Sequence, residues 1–281
     1  MKKQIIIVVI ILTVMAAGCR SLLGKDSLRL YDLEADRTWV GEEALDRLRE
    51  TRIVVVGEQH TNAAHHRAQL AVVQALHQAG KEIAIGLEMF RHESQADLER
   101  WVAGAIEEPD FKTVYLDNWN FDWDLYRPIF LYARQQNIPM LGLNVPRNLS
   151  SQVAHHGFKS LSDEQRAGLH AVVCDVTPQY REFIRQAYGA HAHGAMQFEN
   201  FCEAQLLWDV SMAKNAVDYL NAHPEATLVV LAGSGHARKM GIPTQVQKLS
   251  DLPVVVLLPE THGIFEADNT SETDADYLIR P

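Results

Sequence analysis

Residues Ile53 to Gln69, IVVVGEQHTNAAHHRAQ, restrict the fold of this chain more than any other stretch. Branched apolar residues run straight into Gly57, Glu58 and His60, and a helical pattern carrying His65 and His66 follows. An apolar run without polar alternation marks a strand covered on both faces, and such strands belong to parallel sheets flanked by helices. In open α/β sheets ligands bind beyond the carboxyl ends of the strands, where Glu58 and His60 fall. The chain uses the device twice. Thr227 to Ala232 (TLVVLA) runs into Gly233-Ser234-Gly235-His236, so both strand ends read Gly-x-x-His.

Other strands and helices alternate around these two. A short amphipathic helix is expected over 40–50 and a strand over 53–56. A helix capped by Thr61 or Asn62 then runs to about Ala79, where Gly80 stops it. EIAIGLEMF is a second strand with Glu88 near its end, 95–104 a helix, and IPMLGLN (138–144) a third strand leading to Pro146 and Arg147. From 149 to 223 only helical periodicity is found, over 149–155, 162–170, 180–189 and 197–222. The last strand is 254–258. The expectation is an α/β fold: a mostly parallel sheet flanked by helices, with a helical insertion or cap subdomain at about 149–223. The domain spans 39–265, between a tether over 19–38 and an acidic, poorly ordered tail over 266–281. The aromatic stretch Trp119 to Tyr132 is read as core packing.

The formal net charge of −10 and the lack of a basic run exclude nucleic acid as a partner. The chain opens as a targeting segment. Lys2 and Lys3 precede an apolar stretch from Ile5 to Met15, which is short for a membrane span. Ala16-Ala17-Gly18-Cys19 then has the small residues of a lipoprotein processing site, although Ala16 stands where leucine is usual. The expected mature chain starts at Cys19, lipidated, after a signal peptide over 1–18, and is anchored in the cell envelope. Arg20 rather than aspartate follows Cys19, which favours an outer membrane and a periplasm-facing protein. Cys174 and Cys202 remain, in an oxidising compartment. Two buried free thiols is the reading taken, with a disulfide as the alternative.

Two groups of residues carry chemistry. If the sheet is parallel, Glu58, His60, Glu88, Arg147 and His236 converge on one edge. Glu58, His60, Glu88 and His236 offer N and O ligands to a divalent metal, or acid–base groups to a hydrolytic reaction. Arg147 offers a bidentate grip on a carboxylate or phosphate. The alternative is a satisfied buried network with no ligand. One of His65 and His66 would face this site and the other would be solvated or stacked on its helix. In the helical region, Tyr180, Tyr188, His191 and His193 lie close together; tyrosine holds ferric haem iron in some proteins, with histidine as ligand or hydrogen-bond partner.

VVVGEQHTNAAHHRAQ, IAIGLEMF, NWNFDWDLYRPIF, IPMLGLNVPR, FCEAQLLWDVSMA and LVVLAGSGHARKMGIP occur in this order and cover about Ile53 to Pro243. In these stretches the chain resembles the ChaN-like haem-binding lipoproteins, grouped with Tiki, TraB and erythromycin-esterase-like proteins. The resemblance implies an α/β domain with a helical subdomain, and haem binding linked to haem or iron uptake at the envelope, with a haem-uptake receptor as a further partner. It also implies a homodimer enclosing a pair of stacked haems, each iron bound by tyrosine with a histidine nearby. No motif assigns the tyrosine, so the role passes to Tyr180–His193 by position alone. Tiki members are metal-dependent proteases, and both Gly-x-x-His motifs and both glutamates are intact here, which keeps a metal-dependent hydrolase as the alternative.

Overall fold

The computed structural model describes residues 28–191 and 196–280. The leader over 1–18, Cys19 and His193 lie outside the described residues, as does the side chain of His191. The strands are β1 (Arg29–Asp32), β2 (Arg37–Val40), β3 (Ile53–Glu58), β4 (Ile83–Arg91), β5 (Met140–Asn144), β6 (Thr227–Gly233), β7 (Val254–Pro259) and β8 (Tyr277–Ile279). They form one sheet in the order β2-β1-β8-β7-β3-β6-β4-β5. From β8 to β5 neighbours run parallel; β1 pairs antiparallel with both β2 and β8. The expected fold class is the one observed.

The helices are α1 (Glu42–Asp46), α2 (Ala63–Gln78), α3 (Gln95–Val102), α4 (Glu108–Asn118), α5 (Trp123–Gln136), α6 (Arg147–His156), α7 (Asp163–Arg166), α8 (Pro178–His191), α9 (Phe198–Ala222), α10 (Ser234–Ala237) and α11 (Ile242–Leu249). Successive strand side chains alternate between the two faces of the sheet. Val54, Val56, Ile85, Leu87, Val229 and Leu231 join a core with residues of α2, α3, α4 and α5. Ile53, Val55, Ala84, Leu228 and Val230 join another with residues of α9 and α11. The aromatic stretch divides: Trp123, Tyr126 and Phe130 are fully buried, while Trp119 and Phe121 reach the end of β3.

Among the described residues, helices alone connect β5 to β6, as expected for a helical subdomain. Its core includes Val153, Phe158, Leu161, Tyr180, Ile184, Phe201 and Leu207. Helix α9, 25 residues long and so roughly 37 Å, belongs to both parts. Its first half packs in this cluster, and Met212, Ala213, Ala216 and Leu220 pack on the sheet. Where a helix was expected over 162–170, only α7 forms: Ala167 leaves helical geometry with a ψ of 121°, and Gly168 follows with a positive φ of 82°.

Three expectations are corrected. The tether ends in strands, since Leu30 is fully buried and β1 and β2 form an edge hairpin. The tail supplies β8 between β1 and β7, with Leu278 and Ile279 buried. Two of its acids are paired there: Asp274 with Arg238 and Asp276 with Lys239. Cys174 and Cys202 form a disulfide, with Cα atoms 5.6 Å apart.

Candidate functional site

Strands β3 and β6 are adjacent and parallel, with Glu58 level with Gly233, and β4 lies on the far side of β6. The two Gly-x-x-His ends therefore stand side by side. A side chain at Gly233 would place its Cβ 2.7 Å from His60 Cε1 and 3.5 Å from Glu88 Oε2. Glycine is needed there because the His60 ring lies directly on the end of β6. Glu58 follows Val54 and Val56 by alternation, towards α2 and α5, while Glu88 follows Ala84 towards α9. Each carboxylate thus meets a different helix layer.

On the α5 side, His60 Nδ1 donates to Glu58 Oε1 at 2.6 Å, and the Tyr126 hydroxyl donates to the same oxygen at 2.9 Å. The Glu58 side chain is fully buried, and its Oε2 has no hydrogen-bond partner; His66 Nε2 is 3.8 Å away. His66 also contacts the His60 carbonyl at 3.2 Å and packs on Tyr126. It is the member of the histidine pair that faces the site. His65 is neither solvated nor stacked on its helix: it is buried, accepts from the Gln59 amide at 2.9 Å and meets Thr261, which straps the loop after β3. Burial lowers its pKa.

On the α9 side, His236 Nδ1 lies 2.7 Å from Asp209 Oδ1, and the Tyr180 hydroxyl donates to Asp209 Oδ2. His236 Nε2 is 3.9 Å from Glu88 Oε1, while Glu88 Oε2 accepts from the Gly233 amide at 2.6 Å. Aromatic rings close both histidines in: Trp119 and Phe121 against His60, Trp208 against His236.

The two histidines titrate differently. Burial would depress the pKa of each. For His60 the hydrogen bond to Glu58 and the charge of Glu88 outweigh burial, so it titrates above an ordinary imidazole. For His236 the charges of Asp209 and Glu88 do so more strongly, raising it to about 9. His236 is therefore an imidazolium at neutral pH, a fixed positive charge that can stabilise developing negative charge. His60, oriented by Glu58, can take or give a proton.

Of the residues the sequence singled out, Glu58, His60, Glu88 and His236 come together. Arg147 does not enter the network: it is exposed at the start of α6 and donates to the Asn118 carbonyl at 3.3 Å. The four that converge do not form a metal centre. Both Nδ1 atoms are engaged with carboxylates, and among the described residues no group of three or more His, Cys, Asp or Glu is arranged to hold a metal. The divalent metal expected from the sequence has no support in this geometry.

Of the haem candidates of the helical region, Tyr180 and Tyr188 have described side chains, and they meet different partners. Tyr180 is buried and its hydroxyl serves Asp209; burial and that carboxylate push its pKa well up, opposing a phenolate. It does not fit an iron ligand. Tyr188 is half-buried and donates to the Met196 carbonyl at 2.6 Å. His191 closes α8, and nothing further is described for it or for His193.

Sequence reasoning missed Asp209 and Tyr126. A signal for Asp209 existed: Cys202, Leu206, Asp209, Ala213, Ala216 and Leu220 form one stripe at helical spacing. A carboxylate in an apolar stripe is buried and needs a partner.

Residues 44–246 match the family described as haem-binding uptake, Tiki superfamily, ChaN. The chain belongs to that family. Its fold is similar to that of ChaN of Campylobacter jejuni, a structure described as showing cofacial heme binding, with a TM-score of 0.69, 19% identity, and coverage of 92% of this chain and 99% of that one. The type III effector HopBA1 is similar at a TM-score of 0.50 and 14% identity, over 85% of this chain and 91% of that one. An erythromycin esterase EreC mutant follows at 0.47 and 12%, over 90% and 82%. At these identities the ChaN and HopBA1 likenesses speak for the fold alone. No match to a curated protein was found.

Proposed function

We propose that this protein binds haem at the cell envelope and serves haem or iron acquisition. In this reading Cys19 carries a lipid anchor in the outer membrane and the domain faces the periplasm. Haem sits at a homodimer interface and is passed to or from a haem-uptake receptor. The observation that carries the reading is the family match over 44–246. The small residues before Cys19 support the anchor, and the Cys174–Cys202 disulfide suits an oxidising compartment. Ferric haem titrated into the mature protein should give a stoichiometric Soret shift and, by subunit mass, a dimer. A titration with no Soret shift rejects haem binding; a shift without a change in mass rejects the dimer alone.

A second reading, hydrolysis by acid–base chemistry at the strand ends, is favoured by one observation. The site pairs a proton-transferring His60–Glu58 couple with a His236 held charged at neutral pH by Asp209 and Glu88, beside a Glu58 Oε2 without a hydrogen-bond partner. An esterase and peptidase screen with Glu58→Ala as control tests it. Activity that survives Glu58→Ala, or no activity on any substrate, counts against it.

A further inference from the structure

A cleft of about 950 Å³ lies along the open edge of the sheet, between β5, α3, the 167–170 loop and α9. That is the upper end of the about 300–1,000 Å³ typical of small-molecule sites. An edge strand normally invites another strand, but side chains already cap this one. Gln95 Nε2 donates to the Met140 carbonyl at 3.0 Å, and Gln95 Oε1 accepts from the Gly142 amide at 3.1 Å. Asn215 donates to the Leu143 carbonyl at 2.8 Å. What enters the cleft must be recognised by its side chains.

Charge collects at the amino end of the strands. Glu82 stands immediately before β4, which pairs in parallel with β5. Burial and the charge of Glu82 raise the pKa of Tyr219 on α9, which lines the same end and has one ring face stacked on His223. Glu99 lies one turn beyond Gln95 on α3, next to the turn whose Trp101 is covered by Arg134 at the close of α5. Asp218 is the third carboxylate of the lining, and it is paired with Lys214, the lining's one lysine. Among the described residues Glu82 and Glu99 make no ion pair. Lys214 thus cancels one carboxylate of three, and two negative charges remain beside an aromatic ring. Those are the surroundings of an ammonium.

Towards the carboxyl end the walls are apolar, with Leu141, Val145 and Leu169. One polar group interrupts them. Ser211 lines the cleft from α9, and its buried hydroxyl has no hydrogen-bond partner. A buried hydroxyl is costly to leave unpaired, and a ligand that brings a polar atom removes that cost. Asp218 follows Ser211 by seven residues on the same helix, so the hydroxyl stands roughly 10 Å from the acidic end.

We propose that this cleft binds a small organic cation, an amine on an apolar chain. Glu82 and Glu99 hold the ammonium, the chain lies along Leu141 and Leu169, and a hydroxyl or carbonyl roughly 10 Å from the nitrogen bonds to Ser211. The assignment is independent of the haem reading. The probe is 8-amino-1-octanol, titrated into the mature protein at neutral pH and followed by saturation-transfer NMR. It should bind at least about tenfold more tightly than 8-hydroxyoctanoate, which carries the opposite charge at the same length, and than 4-amino-1-butanol, which is too short to fill the slot. Glu82→Gln with Glu99→Gln, both at exposed positions, should abolish the preference for the amine over the acid. Ser211→Ala should weaken 8-amino-1-octanol about fivefold and leave octylamine unchanged. Equal binding of amine and acid by the wild type, a preference that survives the double variant, or no binding at millimolar amine overturns the proposal. So does a Ser211→Ala variant that binds 8-amino-1-octanol as the wild type does, because the chain then does not lie along the slot.

Discussion

The two Gly-x-x-His ends differ in where their carboxylates come from. His60 is held by Glu58, two residues away in the same turn. His236 is held by Asp209, 27 residues earlier and on the helix shared by the two parts of the domain. The first couple is local, and its histidine stays partly exposed. The second is assembled only when α9 docks on the sheet, and its histidine is shut in with two carboxylates around it. One motif thus yields a titrating histidine at one strand end and a fixed cation at the other, because the partner, not the motif, sets the charge.

The largest expected effect breaks the second couple. Asp209→Ala orphans both His236 and Tyr180, and removing one partner of a buried pair costs about 3–5 kcal/mol. Urea denaturation should show that loss, and NMR titration should show the His236 pKa falling from about 9. A His236 titration that stays in place would mean that Asp209 does not govern it. Next is the disulfide, which closes a 28-residue separation on the same side of the molecule. Cys174→Ser with Cys202→Ser should cost about 2–4 kcal/mol and leave the His60 titration unmoved. If His60 shifts as much as His236, the two couples are not independent.

The pH dependence separates them further. A folded pKa raised to about 9 stabilises fully below the unfolded value of about 6.5. That stabilisation is lost as pH rises through about 9, and the loss amounts to about 3 kcal/mol. Denaturation midpoints measured from pH 6 to 10 should fall in that window for the wild type and stay flatter in His236→Gln. The smallest effect is expected from Glu58→Ala, about 1–3 kcal/mol for the Tyr126 hydroxyl it orphans, with a lowered His60 pKa. A cost above that of Asp209→Ala would reverse the ranking of the two couples.

Legibility followed range. Strands β3, β6 and β7 were readable because four or more branched residues in a row have few other ways to be buried. The Glu58–His60 couple was readable because its members share a turn. The hairpin over 29–40 and β8 were not, since short edge strands gain their stability from partners far along the chain. Tyr180 looked like an iron ligand because its neighbours in sequence are histidines; in space its neighbour is Asp209. The thiols looked free because separation in sequence carries no distance.

By itself, the sequence determined the parallel sheet, the convergence of the strand ends on one edge, the helical subdomain and the family, all through local periodicity and short motifs. Only the tertiary structure decided that Asp209 and Glu88 raise the pKa of His236, that Tyr180 serves a carboxylate, and that a cleft lies along β5. Each of these depends on which groups the docking of α3 and α9 removes from water and brings within a few ångströms, and Coulombic and desolvation energies vary steeply over that distance. The stretch Ile53 to Gln69 dictated where the site would be, and the helix carrying Asp209 dictated what charge it would hold.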